Sequence, residues 1–146
     1  MYSFGKNLSI LVFFFLLVSS SLMFAQPLQG NVVVINNAEL SLSSDGTMAE
    51  FDSLTQLYNT NVLDKNELIL SYKVVRHWWG NNNRDFITLY EVKSWEDVLA
   101  ANQRNNELFM EAWATKEARK DYNDAYNKYF TGVHSDEIYQ EVVFNK

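Results

Sequence analysis

The feature that most constrains this chain is a pair of β-rich runs on either side of a tight polar break. Leu68 to Trp79 and Phe86 to Lys93 are dense in β-branched and aromatic residues, and Gly80-Asn81-Asn82-Asn83 separates them. Glycine and asparagine tolerate positive φ, so the break reads as a turn and the two runs as a hairpin. One face of the first run carries Ile69, Val75, His77 and Trp79, and the other Leu68, Leu70, Tyr72, Val74 and Trp78. One-sided burial would leave alternate positions polar, so these strands belong to a sheet covered on both faces. Closing the hairpin on the three asparagines sets Gly80 opposite Arg84 and Lys73 opposite Glu91, a favourable charge pair.

The flanking segments supply the rest of an α+β domain. Val32-Val33-Val34-Ile35 is a short β-branched strand, and Ser43-Ser44-Asp45-Gly46 is a turn cluster. Phe51, Leu54, Leu57, Tyr58 and Val62 recur at helical spacing, which predicts a helix over 48–62. Ser94 can cap a second helix, with Asp97 in its first turn favourable to the dipole. Trp95, Val98, Leu99, Asn102, Leu108, Phe109 and Trp113 continue it. Thr115 starts a further helical piece whose inner side holds Tyr122, Tyr126, Tyr129 and Phe130, and Gly132 ends it. A polar loop, His134-Ser135-Asp136-Glu137, then enters a last strand, Ile138 to Phe144.

This βαββαβ order is the split βαβ, or ferredoxin-like, arrangement. Right-handed crossovers give the strand order 4-1-3-2, with residues 48–62 and 95–130 helical on one face. The other face is apolar and uncovered in a monomer, which marks an interface. A second copy of the same sheet is the simplest cover.

Residues 1–25 read as a cleavable signal peptide. Lys6 is their single charged side chain, and the apolar run Ile10 to Val18 leads to Leu22-Met23-Phe24-Ala25 before Gln26-Pro27. The run is too short to span a bilayer, which takes roughly 20 apolar residues. The expectation is a single domain over 26–146, exported to the periplasm or beyond, with no membrane attachment after cleavage.

Composition narrows the function further. The chain has no cysteine, so disulfides, thiolate metal sites and a thiol nucleophile are excluded. The formal net charge is −6, and removal of Lys6 with the signal makes the remainder more acidic still. An acidic chain without a basic stripe argues against nucleic acid and anionic membranes. No nucleophile elbow, phosphate loop, dinucleotide fingerprint or zinc pattern is present, so neither cofactor nor metal is expected.

Three polar residues remain as catalytic candidates. His77 lies on the first hairpin strand, where it is either a hydrogen-bonded wall residue or a pocket acid or base near neutral pH. His134 and Asp136 sit in the loop before the last strand and are too few to make a metal site. Asn102 continues the Val98 side of its helix and can point an amide into an apolar pocket.

Over its whole length after residue 25 the chain resembles the dimeric α+β barrel superfamily, in which two such sheets close into one barrel. That group includes small antibiotic-biosynthesis-type monooxygenases, haem-degrading monooxygenases, muconolactone-isomerase-like proteins and NIPSNAP-like proteins. Arg76-His77-Trp78-Trp79-Gly80, Tyr126-Asn127-Lys128-Tyr129-Phe130 and His134-Ser135-Asp136-Glu137-Ile138-Tyr139 also resemble exported bacterial proteins of unknown function. The resemblance implies a homodimer with a sheet–helix pocket for a small apolar or aromatic ligand, lined here by Trp79, Trp95, Asn102, Trp113 and Tyr139. The axial histidine of haem-degrading relatives has no counterpart, because residues 95–130 contain none. A dimeric binding module is the leading expectation. A cofactor-independent monooxygenase or isomerase, and a purely structural dimer, are the alternatives. In a closed barrel, His77 approaches the partner's His134 and Asp136, whereas within one subunit the two histidines lie at opposite edges.

Overall fold

A computed structural model describes residues 28–80 and 84–144; the expected signal peptide over 1–25, its cleavage point and the Asn81–Asn83 turn lie outside them. The chain divides into a body, Gln29–Glu141, and a remainder of Met1–Leu28 with Val142–Lys146. The architecture below is that of the body. In order come β1 (Leu28–Leu40), α1 (Met48–Asn61), a 3-10 turn (Leu63–Lys65), β2 (Ser71–Arg76), β3 (Asp85–Val92), α2 (Trp95–Ala112), α3 (Lys116–Asn127) and β4 (Phe130–Val143). The four strands form one antiparallel sheet ordered β2-β3-β1-β4, the expected 4-1-3-2 arrangement, with the helices on one side. Among the described residues no helix is long and apolar enough to cross a membrane.

Alternation along the strands decides which side chains meet the helices. Val32 and Val34 of β1 and Tyr90 and Val92 of β3 bury against Val98 and Ala101 of α2. A second cluster joins Phe51 of α1, Phe86 of β3 and Tyr129, with Tyr126 and Phe130 packed against it. Phe51 is fully buried, its ring centroid 5.1 Å from Phe86, 5.2 Å from Tyr129 and 5.5 Å from Tyr126. Burial of one such side chain is worth about 1.5–3 kcal/mol. These two clusters seat α1 and α2 on the sheet.

Polar contacts fix the joints. The Tyr129 hydroxyl donates to Glu50 Oε2 at 2.6 Å and accepts from the Thr47 amide at 2.9 Å, tying the start of β4 to the start of α1. Lys128 Nζ reaches the same carboxylate at 3.1 Å. Thr115 caps α3 as expected, its Oγ1 accepting from the Ala118 amide at 3.1 Å. Ser94 has the extended backbone of a cap, but its hydroxyl donates to Asp97 Oδ2 at 3.0 Å rather than serving a helix amide. Asn66 is almost fully buried after the 3-10 turn. Its Nδ2 donates to the Ala101 carbonyl at 2.9 Å and to Asn105 Oδ1 at 2.8 Å, and its Oδ1 accepts from the Leu68 amide at 3.0 Å.

Several expectations are corrected. The hairpin register is shifted by two residues, so Ser71 faces Glu91 and Lys73 faces Leu89. Pairing persists to a hydrogen bond from the His77 amide to the Asp85 carbonyl at 2.9 Å, and the connection is therefore longer than three residues. β2 ends at Arg76, which puts His77, Trp78 and Trp79 beyond the strand. β4 begins at Phe130, so His134 and Asp136 lie within a strand and not in a loop before it. The longer β4 has a longer partner, because the asparagines flanking the Val32–Ile35 run stay in the ladder: Asn36 faces Thr88 and Asn37 faces Ile87.

Candidate functional site

Helical and strand periodicities converge on one cavity between the sheet and the helices. Asn102, Asn105, Asn106 and Phe109 are three, four and seven residues apart and therefore share a stripe of α2. Asn36 continues the inward face of Val32 and Val34, and Thr88 and Tyr90 continue that of Val92. Together with Tyr58 of α1 and Leu63, these residues line a space of about 470 Å³. That volume falls within the range of small-molecule sites.

Its polar groups are paired in a definite pattern. The Tyr90 hydroxyl donates to Asn102 Oδ1 at 2.9 Å, and Asn36 Nδ2 donates to Asp136 Oδ1 at 2.7 Å. Burial pushes the Tyr90 phenol above its ordinary pKa; the Asn102 bond opposes this, and Tyr58 and Asp136 add to it. Burial likewise raises Tyr58. Both phenols stay protonated at physiological pH. The Tyr58 and Phe109 rings, 6.4 Å apart, form an aromatic wall. No lysine, arginine or histidine is among the lining residues. Such a site can hold, orient and polarise a ligand through neutral donors and acceptors, but it contains no paired nucleophile and base.

The residues singled out in the sequence scatter around this cavity. Asn102 lines it, and Asp136 stands behind Asn36. Trp113 ends α2 and packs on Phe109 and Tyr122, at centroid distances of 4.8 and 4.2 Å. Trp79, Trp95 and Tyr139 are exposed and are not among the lining residues. His134 is exposed on β4, its Nδ1 3.3 Å from the Gly132 carbonyl. His77 and Trp78 border a separate hollow of about 850 Å³ with Leu40, Met48 and Val74. The His77 Nε2 is buried without a hydrogen-bond partner among the described residues. His77 follows edge strand β2 and His134 lies on edge strand β4, so the two occupy opposite edges of the sheet. No group of three or more acidic or histidine side chains that could hold a metal occurs among the described residues.

Tyr58, Tyr90 and Asn36 line the site and Asn66 braces Asn105 beside it, and all four escaped sequence reasoning. A signal for Tyr90 existed in its alternation with Val92 on the helix side. Asn36 and Asn66 read only as punctuation between apolar runs.

No family model matches the sequence, and no curated protein is significantly similar to it. Solved structures do share the fold. A candidate antibiotic biosynthesis monooxygenase from Caulobacter crescentus is 14% identical, with 80% of this chain and 94% of that one covered at a TM-score of 0.52. Another from Nitrosomonas europaea is 14% identical over 82% and 95% of the two chains, TM-score 0.50. A NIPSNAP family protein of unknown function from Agrobacterium tumefaciens is 11% identical over 80% and 92%, TM-score 0.50. The chain therefore shares the ferredoxin-like α+β fold of these structures.

Proposed function

We propose that this protein is an exported, dimeric module that binds a small uncharged molecule in the cavity between α2 and the sheet. The observation that carries the reading is the hydrogen-bonded Tyr90–Asn102 pair lining an amide-rich, aromatic-walled space of about 470 Å³. A purely structural dimer has no use for a polar hollow there, since filling it with apolar side chains would be more stabilising. Dimerisation is supported by the helix-free face, where Val33, Ile35, Val75, Ile87 and Leu89 alternate away from the core. Export is supported by the pattern of residues 1–25. The second reading, a cofactor-independent monooxygenase or isomerase, draws on the shared fold with candidate monooxygenases, and fold alone does not carry chemistry.

Native mass spectrometry of protein purified from its own host tests the proposal. The expected spectrum is a dimer beginning near Gln26 that retains a small molecule, and Tyr58→Ala abolishes the retention. A ligand-free wild-type dimer whose thermal midpoint no small-molecule library raises would defeat the binding reading. Leu89→Glu places a charge on the helix-free face and should yield a monomer by light scattering; an unaltered dimer would locate the interface elsewhere. A start at Met1 in a membrane fraction would overturn export.

A further inference from the structure

The hydrogen-bond pattern around Asn66 fixes more than the loop that carries it. The Leu68 amide can only donate and the Ala101 carbonyl can only accept, so the Asn66 side chain has a single workable orientation. Its second N–H then meets Asn105, which must present its carbonyl oxygen. The Asn105 NH2 is left to the cavity that this residue lines. Asn102 is turned the same way, since its Oδ1 is taken by the Tyr90 hydroxyl. Two amide donors therefore project from one helix. Across the cavity Asn36 gives one N–H to Asp136 and keeps its Oδ1 as an acceptor beside the second N–H.

We propose that this cavity binds an uncharged polyhydroxylated ring, a sugar or a cyclitol, held between the amide donors of Asn102 and Asn105 and the acceptor of Asn36. The inference rests on the binding function proposed above and names its ligand class. A hydroxyl both accepts and donates, so a ring bearing several satisfies the two opposed walls at once. A quinone or ketone only accepts, so it can use the amide donors but offers nothing to the Asn36 oxygen. An anion would sit near the Asp136 carboxylate with no cation among the lining residues to pair it. The C–H face of such a ring packs by dispersion against the Tyr58 and Phe109 rings.

Isothermal titration calorimetry on the full-length mature protein, with a defined probe set, tests this. The probes are glucose, galactose, myo-inositol, cellobiose, glucuronate and 1,4-naphthoquinone. At least one neutral sugar or inositol is expected to bind, with glucuronate at least tenfold weaker than glucose. Asn105→Asp keeps an oxygen for Asn66 but replaces the cavity donor with an acceptor, and it should weaken the neutral ligand at least tenfold with an unchanged thermal midpoint. Tyr58→Ala should weaken it as well. Naphthoquinone binding that is lost in Tyr58→Ala, without any neutral sugar or inositol binding, overturns the ligand class and leaves the binding site standing. Sugar binding that ignores both substitutions places the sugar elsewhere and also overturns the proposal. No binding by any probe sinks the ligand class, while ligand retention from the host separately decides the fate of the site.

Discussion

Replacing Asn66 with alanine removes three hydrogen bonds at one buried point, and the structure sets the size of the loss. Neutral hydrogen bonds contribute about 1 kcal/mol net each, and an orphaned buried partner costs about 1–3 kcal/mol. The three partners differ in what they can do afterwards. The Ala101 carbonyl lies inside α2 and keeps its helical bond, and the Asn105 amide borders the cavity, where water can reach it. Each of those losses therefore falls near ~0.5 kcal/mol, at the low end of the net value. The Leu68 amide has no second partner among the described residues and costs about 1–2 kcal/mol. The sum is about 2–3 kcal/mol against a typical domain stability of roughly 5–15 kcal/mol. With an m-value of ~1.5 kcal/mol/M, the urea midpoint should fall by about 1.3–2 M at constant slope. Circular dichroism at matched protein concentration measures it. Asn66→Asp should be at least as damaging, because it turns an oxygen towards the Ala101 carbonyl. A midpoint shift worth less than ~0.5 kcal/mol at unchanged m would refute the claim that this side chain clamps the loop to α2.

Phe51→Ala should cost about 3–5 kcal/mol by calorimetry, since a fully buried ring with four aromatic neighbours leaves a cavity that rigid rings cannot fill. Tyr129 and then Lys128 hold the Glu50 carboxyl below its ordinary range, so its stabilisation is present above the unfolded-state value near 4.5 and is lost as pH falls through the lower folded value. Wild type should therefore lose more stability than Glu50→Gln between about pH 5 and pH 3 in urea titrations, and parallel pH profiles would contradict this. Gly46→Ala places a Cβ 2.7 Å from the Tyr129 ring, so it should destabilise the fold by about 1–3 kcal/mol and shift near-ultraviolet tyrosine dichroism; a neutral effect would show that the ring moves freely.

The topology was legible because hydrophobic period and crossover handedness leave few arrangements for a βαββαβ chain. The hairpin register was not, because Trp78 and Trp79 continue the apolar alternation after the pairing has ended. They are 96% and 90% exposed, so no packing on the core holds them in the strand pattern. Asn102 could be picked out because it interrupts an apolar helical stripe. Asn36 and Asn66 could not, since an asparagine beside a β-branched run or a turn looks like a chain breaker. What distinguishes them is a tertiary partner 100 residues away for Asn36 and 35 to 39 residues away for Asn66. Strand four was under-read for a related reason: Thr131 to Glu137 is exposed and, Val133 apart, without large apolar side chains, and the segment is extended because β1 pairs with it.

The order β2-β3-β1-β4 also sets a timetable. The β2–β3 hairpin joins neighbours in sequence and can form as soon as both strands exist. The β1–β4 edge brings together Asn36 and Asp136, and Gly30 and Gln140, which are separated by most of the body. Closing so long a loop is slow, and the entropy it costs is recovered only when the sheet edge zips. Until the last strand arrives, β1 presents an unsatisfied edge of β-branched residues, a template for pairing with other chains. The chain is therefore most prone to aggregate before β4 (Phe130–Val143) is available, and truncations that trim β4 should aggregate rather than fold.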